Sequence, residues 1–502
     1  MKILTQDVIF ESDHLSHDLA RKSIWGGMTT MTAQGVHTGL QIAGMVVLAR
    51  LLTPDDYGLI GMVTVVTGFA AMFKDAGLSM ATIQKDRITR DQITTLFWIN
   101  VFISGVLGLC VMAGSPLVAW FYGRPELTAV TAVLSLSFII SGLTLQHQAL
   151  LRRHMYFGTL ATIQIAAQVL TLGVTIVLAL LGWRYWALIV GSVVTTLASV
   201  LLTFVFCPWV PGRWKKGTGV RGMLMFGGHM TGFEFVSYLA RNMDNILIGK
   251  FIGADALGLY GRAYRLFMMP IIEIRRPLTN VAEPVLSTLK NQTSRYVKYY
   301  QHILNLLATL MIPLTLYCML EAEFLIRLLL GSQWMGAVPV FQILAITGLI
   351  QPLAGTQGLV LLSIGFSKRY FYWGMINAIL WCTSFVAGLP YGIEGVATAY
   401  AIVNYAVFIP SLFFCFRGTP IKVSLFLKTL VPPMLVAALT ATGFLAVHQA
   451  WPGDSFVAHV FYTGVFVLLY VGLSLCRRSV RELLKLLFKN VPGMVAINTK
   501  TA

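Results

Sequence analysis

Charge is what this sequence has least of. Of 502 residues only 20 are acidic and 37 are Lys or Arg, so charged side chains make up 11% of the chain. A soluble domain carries about 25%. With 57% hydrophobic residues, that scarcity excludes a string of ordinary soluble domains. Cysteine is scarce as well. Cys110, Cys207, Cys318, Cys382, Cys415 and Cys476 are widely spaced and sit in or at the ends of apolar segments. None has metal-ligand or redox spacing, so they read as small packing residues. Catalytic motifs are missing too. There is no phosphate-cradling Gly-Lys-Ser/Thr loop and no paired His-Glu metal motif, so neither a catalytic residue nor a metal site is expected.

Long apolar runs take their place. Fourteen stretches are long enough to cross a bilayer: 24–48, 59–82, 93–112, 127–148, 158–181, 185–207, 222–248, 257–274, 301–320, 338–362, 370–390, 395–415, 429–447 and 456–476. The expectation is an all-α polytopic membrane protein. Residues 1–23 are polar and mixed in charge, with no short apolar core before a cleavage site, and read as a cytoplasmic segment rather than a signal peptide. Placing that segment in the cytoplasm puts 28 of the 37 Lys and Arg on the inner side and five (Arg50, Arg124, Arg184, Lys250, Arg327) on the outer, with four inside spans. Such an asymmetry places both termini inside. The net charge of +17 is then a topology signal whose partner is anionic lipid headgroups, not nucleic acid.

One stretch occurs twice. Residues 49–61 read ARLLTPDDYGLIG and residues 249–261 read GKFIGADALGLYG. At an offset of 200, Arg50 meets Lys250, Asp55 meets Asp255, and Gly58, Leu59 and Gly61 meet Gly258, Leu259 and Gly261. Each copy leaves one apolar span, turns through a short loop punctuated by Pro54 and Gly58 or by Gly253 and Gly258, and starts the next. Gly182 and Ala187 similarly match Gly392 and Ala397 at an offset of 210. So long a period is not a solenoid. It points to two six-span lobes, 24–207 and 222–415, joined by a cytoplasmic linker at 208–221. A C-terminal pair of spans lies within 429–476, and a basic cytoplasmic tail occupies 477–502. Six spans is an even number, so both lobes start in the same direction, with the symmetry axis along the membrane normal and a cleft between them. The two loops are expected to be equivalent parts of one outward gate.

The repeat also selects polar residues inside the membrane. On the first span Thr30, Gln34, His37 or Thr38, and Gln41 form a stripe at helical spacing; at the same offset Gln34 falls on Glu234 and Gln41 on Arg241, with Asp244 one turn on. A polar stripe facing lipid is costly, so both faces should point at each other or at water. Lys74, Arg241, Arg262 and Arg265 stand against Asp75, Glu234, Asp244 and Glu273. Residue by residue these could simply neutralise one another, Arg241 and Asp244 being three apart on a helix. As a set they mark a pathway, and three arginines around one cavity suit a diphosphate or an acidic sugar, because guanidinium forks pair with such oxyanions. His37 and His229 read as hydrogen-bonded packing residues before proton carriers, and Asn377 and Asn404 as helix–helix contacts.

The two-sixes-plus-two arrangement and the motifs ARLLTPDDYGL at 49–59, NILIGKFIG at 245–253 and GLYGRAY at 258–264 resemble Wzx-type polysaccharide flippases. These form part of the polysaccharide transporter branch of the multidrug/oligosaccharidyl-lipid/polysaccharide exporter superfamily, and the likeness is greatest to exporters of the colanic-acid kind. The resemblance covers roughly residues 20–480. It implies translocation of an undecaprenyl-diphosphate-linked oligosaccharide across the bacterial inner membrane by alternating access around a cationic cavity. It further implies contact with a polysaccharide polymerase and export machinery. A lipid-linked peptidoglycan-precursor flippase and a multidrug or cation antiporter share the expected fold. The antiporter is disfavoured because arginines, not acids, stand out. A membrane-embedded polymerase or ligase would need a large outward loop with catalytic groups, which the sequence lacks. No cofactor is implied, and proton or sodium coupling stays open.

Overall fold

The computed structural model describes residues 19–75, 78–84, 88–207, 209–215, 238–477 and 480–481. Glu234, His229, half of the 208–221 linker, the first part of the expected 222–248 span and the residues after 481 lie outside the described residues, as does the side chain of Asp75. Every regular element among the described residues is helical.

The chain divides into two compact units, Met1–Gly261 with Leu329–Trp334, and Arg262–Leu328 with Met335–Ala502. The first contains α1 (Leu19–Leu51), α2 (Pro54–Asp75), α3 (Leu78–Gln84), α4 (Arg90–Ala113), α5 (Ser115–Tyr122), α6 (Glu126–Gly142), α7 (Leu145–Arg153), α8 (Phe157–Leu180) and α9 (Tyr185–Phe206). It also holds α10 (238–251) and the first two turns of α11 (Ala254–Leu289). The second contains the rest of α11 and then α12 (Thr293–Leu320), α13 (Ala322–Leu329), α14 (Val338–Gly348), α15 (Gln351–Ala354), α16 (Thr356–Ile364), α17 (Ser367–Gly388), α18 (Gly392–Phe416), α19 (Val423–Ala450) and α20 (Phe456–Leu475). The boundary lies at Gly261, two turns into α11, and α10 is fastened to the first unit. The Tyr238 hydroxyl donates to the Val65 carbonyl at 3.0 Å, and Gly249 lies where a Cβ would meet Tyr122 and Met62 at 3.0 and 3.2 Å.

Local chemistry sets the element ends. Thr89 caps α4 in a reciprocal box with Gln92, each satisfying a backbone N–H of the other. Gly123 stops α5 and Gly365 stops α16 with φ of 69° and 94°, a left-handed conformation open to glycine without a Cβ penalty. The expected fourth span is bent by 45° between α6 and α7, and the tenth is broken into α14, α15 and α16.

Among the described residues nine helical stretches are long and apolar enough to cross a membrane, or ten if the α6–α7 pair is one span. Ser367–Phe416 counts once in that number although it contains α17 and α18. α1 and α11 fall outside it, having traded apolar residues for the polar stripe and the charges noted above. Large apolar side chains such as Trp120, Leu201, Phe251, Phe413 and Leu468 are exposed, as suits helices long and apolar enough to lie in a bilayer. This is a multi-pass membrane protein. In the first unit Leu96, Phe97, Leu150, Leu151 and Trp209 belong to one buried hydrophobic cluster. In the second, Tyr296, Tyr300, Leu304, Leu307, Phe416 and Phe426 form the main core. There α19 and α20 pack on α12, with Tyr470 donating to the Thr309 carbonyl at 2.8 Å.

Candidate functional site

The first copy of the duplicated loop is built by Thr53 and Asp56. Asp56 Oδ2 accepts from the Thr53 N–H at 3.0 Å and from its hydroxyl at 2.8 Å, while the Asp56 N–H donates to Thr53 Oγ1 at 3.3 Å. This box starts α2 with Pro54 at its first position, where the missing N–H costs nothing. The other carboxylate oxygen accepts from the Tyr185 N–H at 3.1 Å and pairs with Arg184 at 3.4 Å. Asp56 is 1% exposed and fully engaged, so it fixes the loop onto the start of α9. Asp55 reaches out instead, to Arg124 at 3.2 Å. The second copy turns through Gly253, whose φ of 117° needs a glycine, and starts α11 at Ala254.

The two copies interlock. A Cβ placed on Gly58 would lie 1.7 Å from the Ala254 carbonyl oxygen, and one placed on Gly258 would lie 1.9 Å from the Pro54 carbonyl oxygen. Each glycine thus seats the backbone that begins the other copy's helix, and the contact is reciprocal. Gly61 adds a looser approach to the Leu257 side chain, 3.1 Å from where its Cβ would be, whereas none of the described residues stands within 4 Å at Gly261.

Two further clasps hold the helix ends that feed the loops. At the end of α10 the Lys250 ammonium donates to the Phe121 carbonyl and lies 5.1 Å from the Phe121 ring centroid, a charge held against the face of an aromatic ring. At the end of α1, Trp334 Nε1 donates to the Ala49 carbonyl at 2.7 Å and the Gln333 amide to the carbonyls of Ala49 and Leu52. These are carbonyls that a helix end leaves without intrahelical partners. Trp334 also lies 5.5 Å from Tyr57 between ring centroids, and Gly331 comes up against the Arg50 stem at 3.7 Å. The segment Leu329–Trp334 belongs to the first unit for this reason.

The expected gate residues Arg50, Pro54, Asp55, Gly58, Lys250 and Gly258 are therefore brought together, with Asp255 in the first turn of α11. Four contributors were not singled out from the sequence: Asp56, Gln333, Trp334 and Tyr260. The Thr-x-x-Asp pattern at 53–56 carried a readable capping signal; nothing in the sequence tied Trp334 to residue 49.

The intramembrane polar set is more dispersed. On α1, Gln34 is exposed and His37 and Gln41 are half-buried. Lys74 donates to the Ser141 hydroxyl at 3.1 Å. Asp244, which sequence spacing puts within reach of Arg241, is 5% exposed and accepts from the Tyr260 hydroxyl at 3.0 Å and the Asn245 N–H at 2.7 Å. Arg241 is exposed on α10 in the first unit, while Arg262, half-buried, and Arg265, exposed, belong to the second.

Residues 47–339 match the model of a family described as polysaccharide biosynthesis protein. The chain is 30% identical to the teichuronic acid biosynthesis protein TuaB of Bacillus subtilis over 84% of its own length and 87% of that protein. It belongs to the polysaccharide biosynthesis family, as a Wzx-type flippase. The matched region of the flippase takes in both loop copies and both clasps. It is also similar to the lipopolysaccharide biosynthesis protein WzxC of Escherichia coli, 25% identical over 77% of this chain and 79% of that one. In fold it is similar to the lipid II flippase MurJ in an inward closed conformation, with a TM-score of 0.71 at 14% identity over 89% of this chain and 98% of that one. An inward-facing multidrug transporter of the MATE family gives 0.56 at 16% identity over 78% and 96%. Both of these solved structures are transporters, and the likeness to them is one of fold.

Proposed function

We propose that this flippase translocates an undecaprenyl-diphosphate-linked oligosaccharide repeat unit from the inner to the outer leaflet of the bacterial cytoplasmic membrane, for lipopolysaccharide or exopolysaccharide assembly. The observation that carries the mechanism is the reciprocal seating of Gly58 and Gly258 against each other's helix starts. A contact made through backbone, with no side chain to bend, has two discrete states, made and broken. That is what alternating access requires of a gate. In this reading the fourteen expected spans form two six-span lobes and a C-terminal pair, with both termini inside. The interlocked loops close the outward side, and the Lys and Arg distribution supports that sidedness.

The cargo is read from the relatives and from the residues. Relatives named for teichuronic acid, lipopolysaccharide and succinoglycan support a polysaccharide precursor over lipid II or a drug. Arg241 in the first unit, and Arg262 and Arg265 in the second, are each offered as guanidinium forks for a diphosphate or acidic sugar, and Gln34, His37, Gln41 and Lys74 of the first unit as polar contacts for the cargo. Polymerase and export machinery would receive the product. In a strain lacking the protein, lipid-linked oligosaccharide should accumulate and surface polysaccharide should be lost, both restored by the wild-type chain. Intact surface polysaccharide without accumulation would overturn the reading; lysis with a halt in cell-wall synthesis would transfer it to the peptidoglycan precursor.

A further inference from the structure

We propose that the second unit carries a binding site for an anionic glycerophospholipid at the turn between α18 and α19. A groove of about 1040 Å³ lies there, with Arg369, Arg417 and Lys422 as its charged lining and Phe413, Phe414 and Leu427 as its apolar wall. Among the described residues no acidic side chain lines it. The cations are held in place by the local fold. Gly418, with φ of 72°, turns the chain directly after Arg417. Arg369 reaches across to donate to the Arg417 carbonyl, and its guanidinium lies 4.8 Å from the Phe366 ring centroid. Thr419 closes the turn by donating to the Phe416 carbonyl at 2.9 Å, and Ile421, 1% exposed, anchors it in the core.

The chemistry of the two walls selects the ligand. Three cations with no acid between them call for an anion, and guanidinium with ammonium suits a phosphodiester oxygen. Phe413 and Phe414 are 63% and 39% exposed, so the same groove offers bare aromatic surface that a free phosphate could not use. Along α18 the exposed side chains Ile402, Tyr405, Ile409 and Phe413 recur at helical spacing and form one stripe. At 1.5 Å per residue it runs about 16 Å from the groove, a track for an acyl chain. Ordinary interfacial cations sit on convex surface and share the headgroup layer loosely; these three share one concavity. The inference rests on the protein's being in a membrane and is independent of the proposed cargo.

The test is native mass spectrometry of the purified full-length protein, titrated separately with phosphatidylglycerol and phosphatidylcholine. Wild type should retain phosphatidylglycerol in preference, and R369Q/R417Q/K422Q should bind it at least tenfold more weakly. Lys428→Gln, an exposed change on α19 outside the lining, should bind as wild type does. If the triple variant is not monodisperse, Arg417→Gln and Lys422→Gln singly should each weaken binding by a factor of about three. Three outcomes overturn the proposal: variants that hold phosphatidylglycerol as wild type does, equal retention of both lipids by wild type, or displacement of phosphatidylglycerol by an equimolar prenyl phosphate, which would give the groove to a carrier lipid.

Discussion

Replacing Gly58 or Gly258 by alanine adds one methyl group at a point where no atom can give way by rotating. The new carbon would lie 1.7 Å or 1.9 Å from a carbonyl oxygen of the opposite loop, against an ordinary separation of about 3.5 Å. The starts of α2 and α11 must therefore part by roughly 1.5–2 Å. Overpacking of this kind costs about 1–3 kcal/mol, and if the proposed gate opens at this contact, the cost falls on the interlocked state alone. The interlocked population then drops by a factor of about 5–150 relative to the open one. Neighbouring glycines serve as controls. Among the described residues Gly61→Ala meets only the flexible end of Leu257, and Gly261→Ala meets nothing within 4 Å. The assay has two arms: polysaccharide export normalised to the amount of protein in the membrane, and labelling by an impermeant maleimide of a cysteine placed at Asp255 in a background without the six native cysteines. Gly58→Ala and Gly258→Ala should lower export several-fold and raise labelling, while Gly261→Ala does neither. Wild-type export and labelling in both variants, or equal damage from Gly261→Ala, would refute the reasoning.

Asp56→Ala removes a cap, a bond to the Tyr185 N–H and the partner of Arg184 together, and should lower stability by about 2–4 kcal/mol, read as a fall in the thermal midpoint of the purified protein; Asp55→Ala, losing one half-exposed pair, should shift it little. Export by Arg241→Gln, Asp244→Asn and the double variant separates charge neutralisation from cargo binding. The Tyr260 and Asn245 bonds already satisfy Asp244, so the double variant should stay inactive, and recovery would sink the cargo role of Arg241. Reporter fusions at residues 220 and 418 should both score cytoplasmic, and a periplasmic score at either would mean that a span has been miscounted.

The sequence by itself determined the class. Scarcity of charge and recurrent apolar runs leave helices in a bilayer as the solution that satisfies every backbone group. A loop written twice marks itself as a part used twice, because Gly58 and Gly258 stand at the same register of both copies. The box at Thr53 and Asp56 carried a local signal set by three-residue spacing, but the role of Asp56 emerged only in the structure. Tertiary structure alone decided what each glycine is for: periodicity shows that a side chain is missing, but only coordinates show that the other loop's carbonyl fills the space. Trp334 closing the end of α1, Lys250 on Phe121 and Tyr260 on Asp244 were beyond reach for a related reason. They join residues 285, 129 and 16 positions apart, and a hydrogen bond at such separations is set by how helices pack, which no local pattern encodes. The same holds for the groove beside Gly418, where Arg369 and Arg417, 48 residues apart, become neighbours only once α17 and α18 lie side by side.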